Sequence, residues 1–486
     1  MLARLWERLR IGAAILKVAE GRRLDGEATE RVIFALVAQR ALEPGSKLAA
    51  MRWVAERVFL EGCPGFSDDA AYAAMDFLLD ALEEVAGEIF WSVADLLDLD
   101  VDIVFVDSTS TYYWEVEVAA GLVEAAYRDG GGDEDEPPEE NGDRRLGHSK
   151  DHRDDLPQVV IAMAVTRDEI PVRCWTFPGS TADQKIIRKV KGDLSGWNLH
   201  RLVWVADRGF ASAANRAYLS KGGGRYIHAE KLRGTNAEAA AALARQGRYH
   251  EVAGNLRVKE VWVPGKDAGV RAERFAVCHN PEQAERDRAV RERLVAHLQG
   301  MTDGSDAWPK SKRDELVGSL KDKPGLRRLL RRTKTGLLRI DKAAIAAEAR
   351  LDGKWLLRTN DHTLTPEDLA AAYKQLIAVE RGWKDMKGAL GLRPVFHHRE
   401  DRIRAHVQLC WMALLLIRVA ETGAGDTWRN PRHQLDRMHL VTLATAQGRA
   451  VQRSLTTPGQ QAILHALGLP EPPKFLDFTL ETQASR

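Results

Sequence analysis

Val101–Tyr112 reads VDIVFVDSTSTY. Its first half is short, apolar and β-branched, the composition of a strand covered on both faces, and it closes on the carboxylate of Asp107. The same pattern returns at Leu202–Asp207, LVWVAD, with RGF after it. Two further runs of this kind, Val159–Val165 and Val172–Phe177, lie between them. A carboxylate fixed at a sheet edge needs a partner such as a cation, so acids closing two neighbouring strands make a candidate site for a hard metal ion. Taken singly, Asp107 can instead cap Ser108 and Thr109 in a turn, and Asp207 can pair with Arg208.

Upstream, apolar residues recur at helical spacing from Leu2 to about Leu97, with breaks at Pro44-Gly45 and Pro64-Gly65, which reads as an all-helical N-terminal domain. A helical pattern already runs at Leu5 with no capping signal before it, as expected of a chain that begins inside a longer domain. Downstream of the first strand, Asp129–Asp143 holds eight acidic residues in fifteen and no basic one, so it cannot bury apolar area and reads as a solvated loop. After Asp207 come a helix at Ser212–Ser220, a glycine turn at 222–224 and a strand at Arg225–Ala229. The texture then changes. Hydrophilic strand-like pieces at Tyr249–Val263 and Arg271–Cys278, a charged helix at Pro281–Leu298 and a basic stretch at Lys321–Arg339 precede the strand-like Lys354–Arg358. Some 130 residues are too many for a loop and read as an inserted subdomain. Thr365 as N-cap and Pro366 at the first position then open a helix to Lys387, and another follows at about Arg402–Ala420.

The 486 residues carry 71 basic and 70 acidic side chains, so a nucleic-acid surface has to come from local clustering rather than overall charge. The basic stretch, with eight Lys and Arg against Asp322 alone, is the best electrostatic candidate, a solvated helix being its plain alternative. Four scattered cysteines without a CxxC pair argue against a disulfide scaffold or zinc ribbon and for a reducing compartment. The longest apolar run, Cys410–Ile417, is far short of a membrane span, and no secretion signal is evident. His397, His398, His406 and Cys410 match no zinc spacing. In the helix from Pro366, Tyr373, Glu380 and Lys387 recur every seven residues and so share one stripe. The alternative is an exposed face on which Glu380 and Lys384 form an i,i+4 pair.

These blocks together, DSTSTYY, GHSKDHRDDLPQVVIAMAV, the strand before DRGF, and YKQLIAVERGWKDMKGALGLRPVFHH followed by RIRAH, resemble the DDE transposases of insertion sequences, in the group with a tyrosine–arginine–glutamate–lysine signature. The resemblance runs from about Val101 to Ala420 and implies an RNase H-like α/β core, a mixed sheet flanked by helices, interrupted by a β-rich insertion between the second aspartate and the glutamate. Here those two lie 173 positions apart. It divides the chain into a helical N-terminal DNA-binding domain (1–98), a first core part (99–231), the insertion (232–360), a second core part with the catalytic helix (361–420) and a helical C-terminal region (421–486).

The same resemblance makes Asp107, Asp207 and Glu380 the catalytic, metal-binding triad, with Tyr373 and Lys387 as signature residues. The signature's arginine falls on Leu376, so its contact is missing or supplied by Arg381 or Lys384. Tyr373, Lys384, Lys387, Arg393 and Arg402 would meet DNA, and Trp262 or Trp355 of the insertion would stack a flipped base, each being equally at home in a core. Such a triad holds two magnesium ions, with manganese as substitute, activating water or a 3′-hydroxyl at one and stabilising the leaving oxygen at the other. The implied activity is metal-dependent cleavage at terminal inverted repeats and transfer of the 3′-hydroxyl ends into target DNA, in a cytoplasmic prokaryotic protein that joins the nucleoid when bound and forms a homodimer in the synaptic complex. The competing readings are an inactive or domesticated DNA-binding relative, and a metal-dependent endonuclease without joining activity.

Overall fold

The computed structural model describes residues 1–112 and 142–480, except 64, 100, 198, 200, 201, 235, 265–271, 394, 396, 398, 446 and 447. All but the last two residues of the acidic stretch Asp129–Asp143 therefore lie outside the described residues. The chain forms two compact units, Met1–Val203 with Gln375–Arg486, and Trp204–Lys374.

The first unit opens with six helices, α1 (Leu2–Arg8), α2 (Ile11–Ala19), α3 (Gly26–Leu42), α4 (Lys47–Glu56), α5 (Asp68–Asp80) and α6 (Leu82–Leu96). Asp25, Ser46 and Ser67 cap α3, α4 and α5, each side chain accepting from the N–H three residues on. From Val32 to Ala41 α3 is buried all round, because α2, α5 and the later helix Glu400–Ala424 enclose it. Three antiparallel strands follow, β1 (Ile103–Tyr112), β2 (Gln158–Thr166) and β3 (Pro171–Pro178), in the order β3-β2-β1, and then α7 (Asp183–Gly196). β2 is buried at all nine positions, and its backbone groups must find partners on both sides. That is why β1 does not stop at Asp107. It runs on through Ser108–Tyr112, in register from Asp107 against Met163 to Tyr112 against Gln158, so Asp107 sits mid-strand and not at a strand end.

The second unit contains β4 (Val203–Ala206), α8 (Ala213–Leu219), β5 (Arg225–Glu230), α9 (Ala237–Ala244), β6 (His250–Ala253), β7 (Leu256–Val263), β8 (Glu273–His279), α10 (Pro281–Thr302), α11 (Lys310–Ser319), α12 (Pro324–Arg327), β9 (Leu330–Arg332), β10 (Leu338–Ile340), α13 (Lys342–Ala349), β11 (Lys354–Thr359) and α14 (Pro366–Lys374). Its main sheet has the order β4-β5-β11-β8-β7-β6, and β9 and β10 form a separate hairpin. The expected β-rich insertion is corrected here, because α9 to α13 take up more of 232–360 than the described strands do. The reason is visible in the core. Leu320 after α11 and Leu326 and Leu329 of the basic stretch pack on Leu298 of α10 and make a small helical core beside the one that Phe275, Val277 and Leu356 form under α9. Thr365 caps α14 as expected, its hydroxyl accepting from Asp368 N–H at 3.1 Å and donating to the Asp368 carboxylate at 2.8 Å.

The chain then re-enters the first unit with α15 (Ile377–Lys387), α16 (Glu400–Ala424), α17 (Arg429–Leu435), β12 (Leu440–Thr445), β13 (Gly448–Arg453), α18 (Pro458–Ala466) and β14 (Phe475–Leu480). The helix expected as continuous over Pro366–Lys387 is thus two, parted at Gln375-Leu376, and Tyr373 and Glu380 stand on different helices. The helical C-terminal region is also corrected. β12, β13 and β14 form a three-stranded antiparallel sheet, built from β-branched and apolar residues such as Val441 and Thr442 whose short runs lack helical periodicity. α16 is long and apolar enough to cross a membrane, with mean hydropathy 1.4 in its best window, but 94% of that window is buried inside the protein. It packs on β3, α3 and α5 as the unit's core helix.

Candidate active site

In the second unit Asp207 directly follows β4 and precedes the turn Arg208–Phe210, so a buried four-residue strand fixes a half-buried carboxylate at its end, as its sequence suggests. The hydroxyl of Tyr373, at the end of α14, donates to Asp207 Oδ1 at 2.9 Å. Two residues singled out by sequence, 166 positions apart, therefore meet. A charge-assisted bond of this kind holds the carboxylate in one orientation while leaving its other oxygen for a ligand.

In the first unit Asp107 is met by the loop that carries His148, Ser149 and Lys150. Asp154 accepts from Ser149 N–H at 2.6 Å, and Lys150 N–H donates to Ser110 Oγ at 2.8 Å, which pins the loop to β1. The Lys150 ammonium donates to the Ser108 carbonyl at 2.6 Å and Ser108 Oγ at 2.8 Å, and lies 3.5 Å from Asp183 Oδ2 and 3.9 Å from Asp107 Oδ1. Ser108 Oγ donates in turn to Asp183 at the start of α7. Sequence reasoning gave Asp183 no role; it is drawn in by tertiary contact alone, and no spacing announces it. The loop's glycine has a steric reason. A Cβ on Gly147 would overlap the Gly179 carbonyl, and a Cβ on Gly179 would overlap that of Gln158.

Glu380 lies exposed in the first turn of α15, whose opposite face, Ala378, Val379, Gly382, Trp383 and Met386, is buried against β1 and β2. The fit is close. A Cβ on Gly382 would come within 2.7 Å of Met163 Cε, and Met163 is the cross-strand neighbour of Asp107. Glu380 and Asp107 thus belong to one packed layer of helix on sheet. At the other end of α15, Lys387 and Arg393 both bind Asp151 Oδ1 at 2.7 Å. Burial lowers the Lys387 pKa below the ordinary lysine value, with Asp151 pulling the other way.

The remaining candidates are placed as follows. Lys384 is exposed. Arg402 lies over the Tyr72 ring, 3.7 Å from its centre, a packing role beside any DNA contact. Leu376, at the position where the resemblance leads one to expect an arginine, is buried. Of the two suggested substitutes, Arg381 pairs with Glu169 and lies 3.8 Å from Glu421. In the second unit Trp262 is 42% exposed, stacks on His362 at 5.3 Å with 9° between planes, and has the Arg274 guanidinium 5.9 Å from its ring centre. Trp355 is half-buried in β11 opposite Cys278. The rings of His397 and His406 are 5.5 Å apart, and Cys410 Sγ is 3.9 Å from His406 Nε2. Among the described residues no group of three or more His, Cys, Asp or Glu side chains has the spacing of a metal site. The oxygens that surround the Lys150 ammonium, two carboxylates, a hydroxyl and a carbonyl, are nevertheless the donor types a hard divalent cation takes, so the chemistry around Asp107 fits such an ion.

No curated protein sequence matches this chain. Among solved structures, a cryo-EM structure of the piggyBac transposase synaptic complex with hairpin DNA is similar at 8% identity, over 90% of this chain and 80% of that one, with a TM-score of 0.38. The model of the transposase DDE domain matches residues 103–416, well over half of the sequence and a span that contains Asp107, Asp207 and Glu380. The chain belongs to the transposase DDE domain family.

Proposed function

We propose that this protein is the transposase of an insertion sequence, in the group with the tyrosine–arginine–glutamate–lysine signature, and that it cuts DNA at terminal inverted repeats and joins the 3′-hydroxyl ends to target DNA. The observation that carries this reading is the bond between Tyr373 and Asp207, which joins a signature residue to a strand-end acid. Asp107, Asp207 and Glu380 are the residues that would hold divalent metal, magnesium or manganese, which would supply Lewis acidity at the scissile phosphate and a water or 3′-hydroxyl of lowered pKa. The protein's own groups do the positioning. Tyr373 orients Asp207, the Ser110 hydroxyl and Ser108 carbonyl set the loop of Lys150 against β1, and the buried face of α15 holds Glu380 on the layer of Asp107. Lys384, Lys387, Arg393 and Arg402 are proposed phosphate contacts, Trp262 or Trp355 the stacking residue, and the N-terminal helices the reader of the repeats. The working state would be a homodimer on two DNA ends, in the cytoplasm and on the nucleoid.

Purified protein incubated with labelled DNA carrying the repeats that flank its gene tests this. Cleavage at the repeat boundary that requires magnesium and vanishes in Asp207→Ala, with joined products on adding target DNA, is the expected result. A second reading, an inactive or domesticated relative that binds DNA, draws on one observation, the buried Leu376 where the signature has arginine. Binding without cleavage would favour it, and cleavage without joining would favour a simple endonuclease.

A further inference from the structure

Two adjacent loop residues, Lys150 and Asp151, present opposite charges to two opposite demands. Lys150 places its ammonium among the oxygens of Ser108, Asp183 and Asp107, where a cation belongs. Asp151 places Oδ1 2.7 Å from both Lys387 and Arg393, where an anion belongs. The Asp151 and Lys387 side chains are each only 10% exposed, and Asp151 Oδ2 is buried without a hydrogen-bond partner. A buried carboxylate with one oxygen unsatisfied is a costly arrangement, and an anion that turns both of its charged oxygens to the two cations would replace it. A phosphodiester is such an anion, with one negative charge shared by two non-bridging oxygens that can meet the guanidinium and the ammonium together.

We propose that the Lys150-Asp151 dipeptide is an internal stand-in for the reaction's two charged components: its ammonium fills a cation place at Asp107 and Asp183, and its carboxylate fills a phosphate place at Lys387 and Arg393. This rests on the reading of the protein as a metal-dependent DNA transposase. Asp183 then becomes an acid of the cation place in addition to Asp107, and Asp151 a positioning residue that keeps Lys387 and Arg393 converged before DNA arrives. Divalent metal displaces the first half of the stand-in and a DNA phosphate the second. Since the two residues are neighbours on one loop pinned by Ser110 and Asp154, displacement of one loosens the other.

Binding measurements without turnover separate the two halves. Manganese binding to the full chain, read by electron paramagnetic resonance, is compared for wild type, Lys150→Met and Lys150→Arg; duplex binding in metal-free buffer is compared for wild type, Asp151→Asn and Asp151→Asn with Lys387→Met. Removing the competing ammonium should tighten manganese binding about tenfold in Lys150→Met, with Lys150→Arg staying at the wild-type value. Removing the competing carboxylate should tighten duplex binding several-fold in Asp151→Asn and steepen its salt dependence, and the added Lys387→Met should cancel that gain. Manganese binding that is unchanged or weaker in Lys150→Met, or duplex binding that is unchanged or weaker in Asp151→Asn, overturns the stand-in while wild type still binds both ligands. A wild-type chain that binds neither manganese nor duplex overturns the proposed function and the stand-in together.

Discussion

The hydroxyl of Tyr373 donates to Asp207 Oδ1 at 2.9 Å, so a helix residue fixes the orientation of an acid at the end of a strand. A bond to a charged group contributes about 1.5–3 kcal/mol, and its loss leaves the carboxylate free to rotate. Tyr373→Phe is expected to keep the melting temperature within a few degrees, to lower the cleavage rate at saturating DNA about tenfold or more, and to leave the Kd for DNA nearly unchanged. Single-turnover cleavage and a binding titration on the same preparation check this.

Gly147 and Gly179 stand where a Cβ would overlap a neighbouring carbonyl, and backbone cannot move aside as a side-chain tip can. Gly147→Ala should cost about 2 kcal/mol or more and displace the loop that carries Lys150, with cleavage falling further than stability. Gly382→Ala is the control, because the atom in its way is the mobile end of Met163, and thermal melts with cleavage rates should rank it well above Gly147→Ala.

His228 on β5 is fully buried, neither ring nitrogen has a hydrogen-bond partner, and burial, with Arg216 and Arg358 nearby, lowers its pKa to about 3. Both states are neutral above the ordinary histidine value of about 6.5, so it costs nothing there by titration. Below that pH the unfolded chain takes up a proton that the folded one refuses, and stability falls until pH reaches about 3. His228→Leu should match or exceed wild-type stability at pH 8, and its advantage should widen steadily from pH 6.5 downward in thermal melts.

Asp361 behaves in the opposite chemical sense. Burial works to raise its pKa, but the Arg225 guanidinium, the N–H groups of Leu364 and Thr363 and the Thr363 hydroxyl outweigh it and hold the carboxyl at about 2. Its stabilisation is complete above about pH 4 and disappears as pH falls through about 2. Asp361→Asn should lower stability by about 1–3 kcal/mol at pH 7 and by progressively less toward pH 2. Denaturant titrations at several pH values read the convergence.

Periodicity and end signals are local properties, and the sequence carries them in full. The buried strands at Ile103, Gln158, Pro171 and Val203 and the capped helix from Thr365 could be read from runs of a few residues. The extent of β1 could not, because Ser108–Tyr112 is held as strand by pairing with β2 and not by its own hydroxyl-rich composition. Neither could the break at Gln375-Leu376, nor the C-terminal sheet, in which β14 joins β13 only across the intervening α18. Asp183 and Asp151 look like any other surface acids in the sequence. They gain their places because α7 and the loop after Gly147 bring them to the Lys150 ammonium and to Lys387 and Arg393, contacts, 236 positions apart for Lys387, that no local pattern encodes. The sequence by itself determined the local runs and caps from which elements such as β2, β4 and α14 could be read; tertiary packing alone decided where β1 ends and which charges face one another, because that depends on register and on close backbone approach between segments far apart in the chain.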